Sequence, residues 1–485
     1  MSSTYDELPE GACAVCDMTA FMRCSSCHRE FYCGKEHQRE DWPRHKDHCK
    51  AYEVLESPEL GRHLVARRDL KPDEIIFSEA PIVWGPTAHL NDRVCVGCGK
   101  LGAYVARCPG CAWPACRHAC DGLVDEAIHG FECKVLAAAK LLPRCDFLLA
   151  LRCLMMRNKQ PKRWRQLMKL SSHLESRGPG SEAHEETQKA IEYLRPFLQI
   201  DSELEKLLPQ VCGIIDVNGL ETNPPDGSMA IYEAACLLEH DCLPNTRLTF
   251  DPDTRGVPRI NVIAVRDIKK GEHLSTSYTH VLWSTRMRRE HLLSTKYFTC
   301  KCKRCADPTE LDSHVGTLKC PCGKGYVTPD HPLKPDSDWS CKQCPGLLSA
   351  GEVAQLTDRL GEEVEAAMSV PQKDIMTDLL MRLMVLLHPC HQHCLTIGHS
   401  MLQMLDPADP KKLELCERLL QTFDKVDPHG ARLGVYYAIA LRELATCPGQ
   451  DKSQLLRRAI HYLRYEPKGT SGYVLREVCE ADVSA

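Results

Sequence analysis

The spacing of cysteines constrains this chain more than any other feature of its sequence. The chain has 30 cysteines among 485 residues. In a secreted protein that number indicates disulfides, but the opening residues, MSSTYDELPEG, have neither the basic nor the apolar segment of an export signal. We therefore expect a reducing compartment, cytoplasmic or nuclear or both, where cysteines more often serve metal or redox chemistry. Their spacing decides between these uses.

The first cluster of ligand-type residues lies near the N-terminus. It consists of two C-x2-C pairs, a C-x3-H pair and an H-x3-C pair, formed by Cys13, Cys16, Cys24, Cys27, Cys33, His37, His45 and Cys49. A C-x2-C pair supplies two thiolates from one tight turn, and an x3 spacing places two ligands on one face of a helical turn. Eight such ligands predict two tetrahedral zinc sites. The alternative is a scatter of unconnected structural cysteines.

A second cluster repeats the same order of spacings, with only the intervening loops changed. Its residues are Cys95, Cys98, Cys108, Cys111, Cys116, Cys120, His129 and Cys133. Eight ligands that recur in register indicate an internal repeat of a metal-binding module, and they exclude unconnected cysteines.

The segment YCGKEHQREDWPRHKDHC of the first cluster resembles the MYND zinc finger, although His37 stands where that family usually has cysteine. MYND fingers are cross-braced. The resemblance therefore implies one zinc on Cys13, Cys16, Cys33 and His37 and another on Cys24, Cys27, His45 and Cys49. By the same order, it implies one zinc on Cys95, Cys98, Cys116 and Cys120 and another on Cys108, Cys111, His129 and Cys133.

The MYND resemblance also implies a partner for the first finger. Family members bind proline-rich peptides in a groove that corresponds to Gln38 and Trp42, with an aromatic face packed on the peptide. The alternative is that Trp42 only covers a core too small to fold without metal. The second finger has CDGLVDEAIH in this stretch, without the Gln and Trp, and we expect it to be architectural.

Alternating apolar residues predict paired strands on both sides of the second cluster. GRHLVARRDLKPDEIIFSEAPIVWGP precedes it, and INVIAVRDIKKGEHLSTSY repeats the same form far downstream. With AIYEAACLLEHDCLPNTRLTF and YFTCKCKRC, these segments resemble the SET methyltransferase fold interrupted by a MYND finger, which is the SMYD family. The match covers about 57–345, and the extra N-terminal finger resembles a divergent SMYD-A type.

The SMYD resemblance implies transfer of a methyl group from S-adenosylmethionine to a lysine of a histone or another protein. The hydroxyls of Tyr278 and Tyr297 would orient the lysine amine; the alternative for each is a strand-end tyrosine with a satisfied hydroxyl. The residues expected to contact the cofactor are Arg62, His63, Leu64, Glu239, His240, Tyr278 and Phe298.

Two departures from the family pattern affect the expected cofactor site. The usual G-x-G motif is Gly61-Arg62-His63 here, so a β-carbon stands where glycine allows close backbone approach. Glu239 replaces the asparagine of the second motif, which removes an amide donor and adds a carboxylate. The carboxylate can favour the cationic cofactor, or it can mark lost activity. The rival interpretation is a catalytically degenerate MYND/SET adaptor, a transcriptional co-repressor that acts through protein–protein contacts.

Two further metal sites follow the SET strands. Cys300, Cys302 and Cys305 supply three thiolates, and the family resemblance adds Cys242 as the fourth ligand. Cys320, Cys322, Cys341 and Cys344 form a zinc-ribbon pattern. The total is about six structural zinc ions. The segment HPCHQHC (388–394) has metal-type composition, but Pro389 lies between two helical patterns, and an interhelix turn is the favoured interpretation.

Charge and length exclude several other classes. The 61 Lys+Arg against 66 Asp+Glu give a net charge of -5, which disfavours direct nucleic-acid binding, and no apolar run approaches the roughly 18 residues that span a membrane. Beyond 350, apolar residues at helical spacing predict TPR-like hairpins, and the polar stretch 171–186 predicts an exposed loop.

The predicted architecture is α+β and multidomain. Its parts are a MYND-type finger (1–50), the N-terminal part of the SET domain (57–94), an inserted MYND-like finger (95–133), a helical SET insertion (134–210), the SET core (211–283), a post-SET zinc region (284–349) and an α-helical TPR-like domain (350–485).

Overall fold

The computed structural model describes residues 11–25, 30–86, 94–100, 106–116, 120–126, 128–139, 144–198, 202–222, 228–253 and 255–484. The chain divides into two compact units. The N-terminal unit is Met1–Leu238 with Leu248–Leu274, and the C-terminal unit is Glu239–Arg247 with Ser275–Ala485. Within the described part of the chain, no helix is both long and apolar enough to cross a membrane.

The first finger is a set of very short strands followed by one helix. Its elements are β1 (Gly11–Ala12), β2 (Thr19–Ala20), β3 (Met22–Arg23), β4 (Phe31–Tyr32) and α1 (Lys35–Cys49). β1 pairs with β2 and β3 with β4, both antiparallel. Tyr32 is fully buried, and its hydroxyl donates to Asp41 of α1 at 2.8 Å. So small an apolar core needs metal to stabilise it.

The SET strands form the apolar core of the N-terminal unit. The strands are β5 (Tyr52–Ser57), β6 (Gly61–Ala66), β7 (Ile75–Glu79), β8 (Val83–Pro86), β11 (Leu220–Glu221), β12 (Ser228–Ile231), β14 (Thr246–Pro252) and β15 (Pro258–Ala264). β5 pairs with β6, β14 and β7 flank β15, and β12 lies between β11 and β8. Val262 stands opposite Phe77, so strands separated by the insertion share a sheet, as the repeated pattern predicts.

The second finger and the helices after it form a second core in the same unit. The elements are β9 (Ala106–Arg107), β10 (Pro114–Ala115), α2 (Asp121–Val124), α3 (Gly130–Ala139), α4 (Leu148–Lys159), α5 (Pro161–Leu167), α6 (Glu182–Leu198) and α7 (Ser202–Asn218). The stretch 171–186 is not wholly an exposed loop. α6 begins inside it, and Arg177 is buried and forms an ion pair with Asp216 at 2.6 Å.

The C-terminal unit begins with two short strands and a helix that support the expected catalytic residues. β13 (Glu239–His240) pairs in parallel with β16 (Ser275–Thr276), and α8 (Thr285–Lys296) and α9 (Lys303–Ala306) follow. A four-stranded sheet then forms in chain order from β17 (Leu318–Lys319), β18 (Tyr326–Pro329), β19 (Trp339–Cys341) and β20 (Leu347–Leu348).

Seven helices complete the C-terminal unit. They are α10 (Ala350–Ser369), α11 (Lys373–Leu386), α12 (Gln392–Met401), α13 (Pro410–Val426), α14 (Gly434–Leu444), α15 (Lys452–Tyr462) and α16 (Ser471–Ser484). Ser349 and Glu352 form a capping box at the start of α10, and Asp409 caps α13 with proline at the first helical position. The apolar faces of these helices pack into one core with residues of β17 to β19.

Candidate metal centres and the Tyr278 cluster

The structure brings the first predicted ligand set of the N-terminal finger together. The metal-binding atoms of Cys13, Cys16, Cys33 and His37 all lie within 4.8 Å of one another. Cys33 lies just before α1 and His37 in its first turn, so the x3 spacing directs both toward the pair from the first knuckle. In the second predicted set, the Sγ atoms of Cys24 and Cys49 are 3.6 Å apart. His45 is buried on α1, and Cys27 lies outside the described residues.

The inserted finger repeats this arrangement. One set is Cys95, Cys98, Cys116 and Cys120, and the other is Cys108, Cys111, His129 and Cys133; in each, the binding atoms lie within 4.8 Å of one another. The sets alternate along the chain, as the cross-braced MYND pattern implies. Each set offers four nitrogen or sulfur atoms, which is the donor set of a closed structural zinc site.

A buried ion pair that the spacing analysis did not find supports the second of these sets. His129 Nδ1 lies 2.7 Å from Glu132 Oε1, which leaves Nε2 facing Cys111 Sγ at 3.4 Å. Arg152 donates to both oxygens of Glu132, at 2.7 and 2.8 Å. Burial alone raises the pKa of Glu132, but the charge and hydrogen bonds of Arg152 outweigh it, so the net shift is downward. A carboxylate of this kind fixes the orientation of a metal-binding imidazole.

Arg152 also ties the finger to the SET strands. It donates to the carbonyl oxygens of Trp84 and Val96 at 2.9 and 2.7 Å. Its side chain is 2% exposed, so every one of these bonds is shielded from water. An arginine within the apolar run of α4 is the sequence signal that could have revealed this contact.

The post-SET ligands also meet. The Sγ atoms of Cys242, Cys300, Cys302 and Cys305 lie within 4.8 Å of one another, although Cys242 is far from the others in sequence. The four ribbon thiols, Cys320, Cys322, Cys341 and Cys344, do the same across the turns of the β17–β20 sheet. Together with the fingers, these sets fit about six structural zinc ions.

A buried arginine side chain is directed at two of the post-SET thiols. Arg288 of α8 is fully buried, and its Nε donates to Cys242 Sγ at 3.1 Å and its Nη2 to Cys305 Sγ at 3.4 Å. Its Nη1 donates to Glu310 at 2.7 Å. A positive charge directed at two thiols favours the metal-binding thiolate form. Sequence reasoning missed Arg288 and Glu310, because neither belongs to a ligand motif.

Three rings surround the expected catalytic position in the C-terminal unit. His240, Tyr278 and Phe298 form what we call the Tyr278 cluster: the ring centroids are 5.4 Å (His240–Tyr278), 6.0 Å (His240–Phe298) and 6.5 Å (Tyr278–Phe298) apart. β13 supplies the histidine, the chain after β16 supplies the tyrosine, and the chain after α8 supplies the phenylalanine.

His240 joins this cluster to the post-SET thiols. Its Nδ1 accepts a hydrogen bond from the backbone N–H of Tyr278 at 3.0 Å, and its Nε2 lies 3.4 Å from Cys242 Sγ. The first bond requires an unprotonated Nδ1, so the proton of the neutral ring is on Nε2 and points to the thiolate. Burial, with a contribution from Arg288, lowers the pKa of His240 to about 4, so the ring is neutral at pH 7.

The structure places the other predicted catalytic and cofactor residues outside the three rings of the Tyr278 cluster. Tyr297 ends α8 in the left-handed conformation, with φ of 61°. Glu239 pairs with Ser275 in the β13–β16 ladder. In the N-terminal unit, Gly61 has φ of 63°, Arg62 donates to the carbonyl of Lys169, and Leu64 is fully buried in the core.

His63 fills the position where the family motif has its second glycine. Its side chain is 4% exposed, its ring stacks on His273 with centroids 4.9 Å apart, and its Nδ1 lies 3.0 Å from the Gly61 carbonyl. The added side chain is therefore packed within its own unit.

The segment HPCHQHC consists of the turn between α11 and α12 and the first three residues of α12. The Nδ1 of His391 accepts from the amide of His393, the Nδ1 of His388 accepts from the amide of Cys390, and His393 Nε2 lies 3.1 Å from the Thr357 carbonyl. These histidines thus cap a helix start and bond to backbone, as the favoured interpretation predicts.

Comparison with known proteins identifies two family domains in the chain. The MYND finger family matches residues 13–49, and the SET domain family matches residues 61–279. The SET domain-containing protein SmydA-8, isoform B, of Drosophila melanogaster is 30% identical over 330 residues, which is 64% of this chain and 70% of that protein. The N-lysine methyltransferase SMYD2-B of Danio rerio is 26% identical over 269 residues, 52% of this chain and 59% of that protein.

One solved structure aligns along most of the chain. It is the SET domain of LSMT bound to lysine and AdoHcy, with 12% identity, 91% of this chain and 90% of that chain covered, and a TM-score of 0.33.

Proposed function

Because the chain belongs to the SMYD family of SET and MYND domain proteins, we propose that it transfers a methyl group from S-adenosylmethionine to a lysine of a histone or another protein. The observation that carries this proposal is the Tyr278 cluster, in which a tyrosine is fixed between two rings and bonded through His240 to a closed thiol site. A rigid hydroxyl is what positioning a lysine amine requires.

S-adenosylmethionine supplies, when bound, a methyl group activated on a sulfonium. The residues of the chain then have two tasks: to align the amine and to exclude water. Deprotonating a lysine of pKa about 10.4 at pH 7 costs roughly 4 to 5 kcal/mol. An apolar site lowers that cost, because burial depresses the pKa of an amine. The Tyr278 hydroxyl accepts or donates one hydrogen bond to the amine and so directs its lone pair.

Glu239 and His63 bear on cofactor binding. A carboxylate at Glu239 favours the cationic cofactor if it is directed at the ligand. The ring of His63 packs on His273, and its backbone stands opposite Leu55 in the β5–β6 ladder. Cofactor binding is therefore the step at which this chain differs most from the family pattern.

Calorimetric titration of the purified, zinc-loaded protein with S-adenosylmethionine tests the proposal. We expect saturable binding, and we expect transfer of labelled methyl groups to lysine in histones or in a cell extract. If Glu239 is directed at the positive charge of the ligand, Glu239→Asn weakens binding. Binding that is absent at millimolar ligand in the native protein, and restored by Glu239→Asn with His63→Gly, would instead establish the adaptor.

We also propose that the first finger binds proline-rich peptides. MYND fingers are protein-interaction modules, and Trp42 of α1 is 45% exposed. The centroid of its ring lies 5.9 Å from that of His45. The exposed part of the indole offers an apolar surface of the kind that a polyproline helix packs against. Trp42→Ala should abolish peptide binding and leave the zinc content unchanged, because tryptophan is not a ligand. Loss of both zinc and peptide binding would show that Trp42 only covers the core.

A further inference from the structure

A cavity of about 570 Å³ lies wholly within the C-terminal unit. Its walls are α8, the loop 330–338 between β18 and β19, and the first turns of α10, with His391 and Gln392 at the start of α12. This volume is in the range of ligand-binding sites. The predicted metal, cofactor and catalytic residues are not among the residues that line it.

One ring nitrogen of His391, at the wall of the cavity, forms no hydrogen bond with any described residue. His391 is 1% exposed and lines the cavity, and its Nδ1 accepts from the His393 amide at 3.2 Å. The proton of the neutral ring is therefore on Nε2. Within the described part of the chain, Nε2 has no hydrogen-bond partner. Burial lowers the pKa of His391, which keeps the ring neutral. This N–H is not among the polar atoms sealed from solvent, so it can bond to water or to a ligand acceptor.

Three of the four Arg and Lys side chains that line the cavity form no ion pair with a described residue. Arg289, Lys301 and Lys334 line it, and none of the three forms an ion pair with a described residue. Arg289 instead donates to the carbonyls of Pro332 and Leu333 at 2.9 and 2.8 Å, and its Nε is buried without a partner.

The acidic residues of the lining offset only part of this charge. Glu290 pairs with Arg286 at 3.0 Å, and Glu310 pairs with Arg288 at 2.7 Å. Asp307 is the remaining lining carboxylate, and its Oδ1 accepts from both the amide and the hydroxyl of Thr309. Three cations against one carboxylate leave a positive excess.

The rest of the lining is apolar. Leu293 on α8 is 54% exposed, and Pro332, Leu333 and Trp339 lie across from α10 with Val353 at its start. An exposed leucine and a half-buried tryptophan in the same lining offer a place for one large apolar side chain.

We propose that this cavity binds an acidic peptide segment of a protein partner, with carboxylates directed at Arg289, Lys301 and Lys334 and one large apolar side chain packed beside Leu293 and Trp339. An acceptor of the same peptide takes the Nε2–H of His391. The cations are distributed over three separate elements, so the ligand must present several anionic groups along its length. A polyphosphate carries no apolar group that could pack against the Leu293 and Trp339 part of the lining. The proposal does not rest on methyl transfer and applies equally to an adaptor.

Fluorescence anisotropy of the full, zinc-loaded chain with a labelled peptide tests this site. The probe is fluorescein-DELFED, and its neutral counterpart is fluorescein-NQLFQN. We expect the acidic probe to bind at least about tenfold more tightly than the neutral one, with an affinity that falls as salt is added.

Two variants locate the binding. Lys301→Glu with Lys334→Glu should weaken binding of the acidic probe at least about tenfold, because the double variant reverses two exposed charges of the lining. His391→Asn should weaken binding of the acidic probe about threefold or more. Asparagine keeps the helix cap, but it cannot supply the Nε2–H. The matched control is Lys373→Glu with Lys411→Glu, which makes the same change of net charge on exposed lysines outside the cavity. The affinity of this control for the acidic probe should stay within about twofold of that of the native chain.

Three outcomes overturn the proposal. The first is equal affinity for the acidic and neutral probes. The second is equal loss in the cavity variant and the control variant, which would make the attraction one of net charge alone. The third is displacement of the probe by octanoate as effectively as by unlabelled DELFED, which would assign the cavity to a small carboxylate. Each readout is made without S-adenosylmethionine, so none of them depends on methyl transfer.

Discussion

At the scale of single residues, buried arginines organise the metal centres that the cysteines define. Arg152 bonds to Glu132, which orients His129, and Arg288 donates to two thiols and to Glu310. Both arginines are nearly or fully buried, so their charges need these partners. The thiols and imidazoles supply the ligands, and the arginines stabilise the ligands in their metal-binding form.

We expect Arg288→Met to speed zinc loss from the post-SET site. Removing the cation takes one hydrogen-bond donor from each of Cys242 and Cys305 and weakens metal binding by about ten- to a hundredfold. The rate of zinc transfer to a colorimetric chelator measures it. Arg286→Met on the same helix is the control, because the partners of Arg286 are Glu290, Asp358 and Thr357 and none of them is a thiol. Equal rates in the two variants would contradict the role of Arg288.

Tyr278→Phe should lower the rate of methyl transfer at least about tenfold, a cost of about 1.4 kcal/mol in the barrier, while cofactor affinity is retained. The ring contacts with His240 and Phe298 survive the change, and only the hydroxyl is lost. Single-turnover rates and calorimetry separate the two effects. Tyr326→Phe, on the ribbon sheet, is the matched control. A native rate of methyl transfer in Tyr278→Phe would show that the hydroxyl takes no part in the reaction.

At the scale of elements, the ends of the helices are the features that the sequence predicts least well. Tyr297 ends α8 in the left-handed conformation that usually belongs to glycine, and its N–H donates to the Leu292 carbonyl. Asp427 ends α13, and its carboxylate accepts from the amides of three residues: Ala431, Arg432 and Leu433. Sequence periodicity places these helices, but it does not reveal how each one ends.

Tyr297 has two proposed roles that a pair of variants can separate. Tyr297→Gly removes both the backbone strain and the hydroxyl, and it should raise stability by about 1 kcal/mol. Tyr297→Phe removes the hydroxyl alone. We expect both to lower methyl transfer by a similar factor and only the glycine variant to raise the melting temperature. Native activity in the glycine variant would reduce Tyr297 to a helix end.

The pKa of Asp427 makes the helical region sensitive to pH. Burial raises this pKa from 3.8 to about 6, against the backbone amides and Arg247, which lower it. A raised folded-state pKa favours the protonated carboxyl. The protonated carboxyl therefore contributes about 3 kcal/mol to the free energy of unfolding relative to the ionised one. This contribution is complete below about pH 4 and is lost as the pH rises through 6.

Melting curves at pH 5 to 7 check this dependence. Relative to Asp427→Asn, which cannot titrate, the native protein should lose melting temperature across this range. Asp424→Asn is the control: its carboxylate accepts from the Tyr437 hydroxyl, and it should leave the dependence unchanged. Parallel curves for the native protein and Asp427→Asn would refute the assignment.

At the scale of the whole molecule, zinc is the principal structural ligand that we expect. Each set has four nitrogen or sulfur donors and no open position, so we predict about six structural ions and no catalytic one. Atomic absorption on the purified protein measures the number. A value of three or fewer per chain would contradict the assignment.

Cys242→Ser should remove one ion and loosen the segment that Cys300, Cys302 and Cys305 hold. Limited proteolysis should then cleave between 300 and 320, with the N-terminal finger intact. Cys416→Ser is the control, because that cysteine is buried in the helical core. Cleavage that is the same in both variants would mean that Cys242 does not hold this segment.

The sequence by itself determined the metal clusters and the secondary-structure periods, because both are local. C-x2-C and x3 spacings specify ligand geometry over a few residues, and the period of apolar residues distinguishes strand from helix. The family motifs added the pairing of distant ligands, such as Cys242 with Cys300.

Only the tertiary structure decided which side chains support those ligands. Arg152, Glu132, Arg288 and Glu310 belong to no motif, and their roles arise because folding buries charges that must then find partners. Likewise, the cavity at His391 exists only because α8, a ribbon loop and α10 enclose it. Short-range chemistry can be read along the chain, whereas burial and enclosure depend on residues that are remote in sequence.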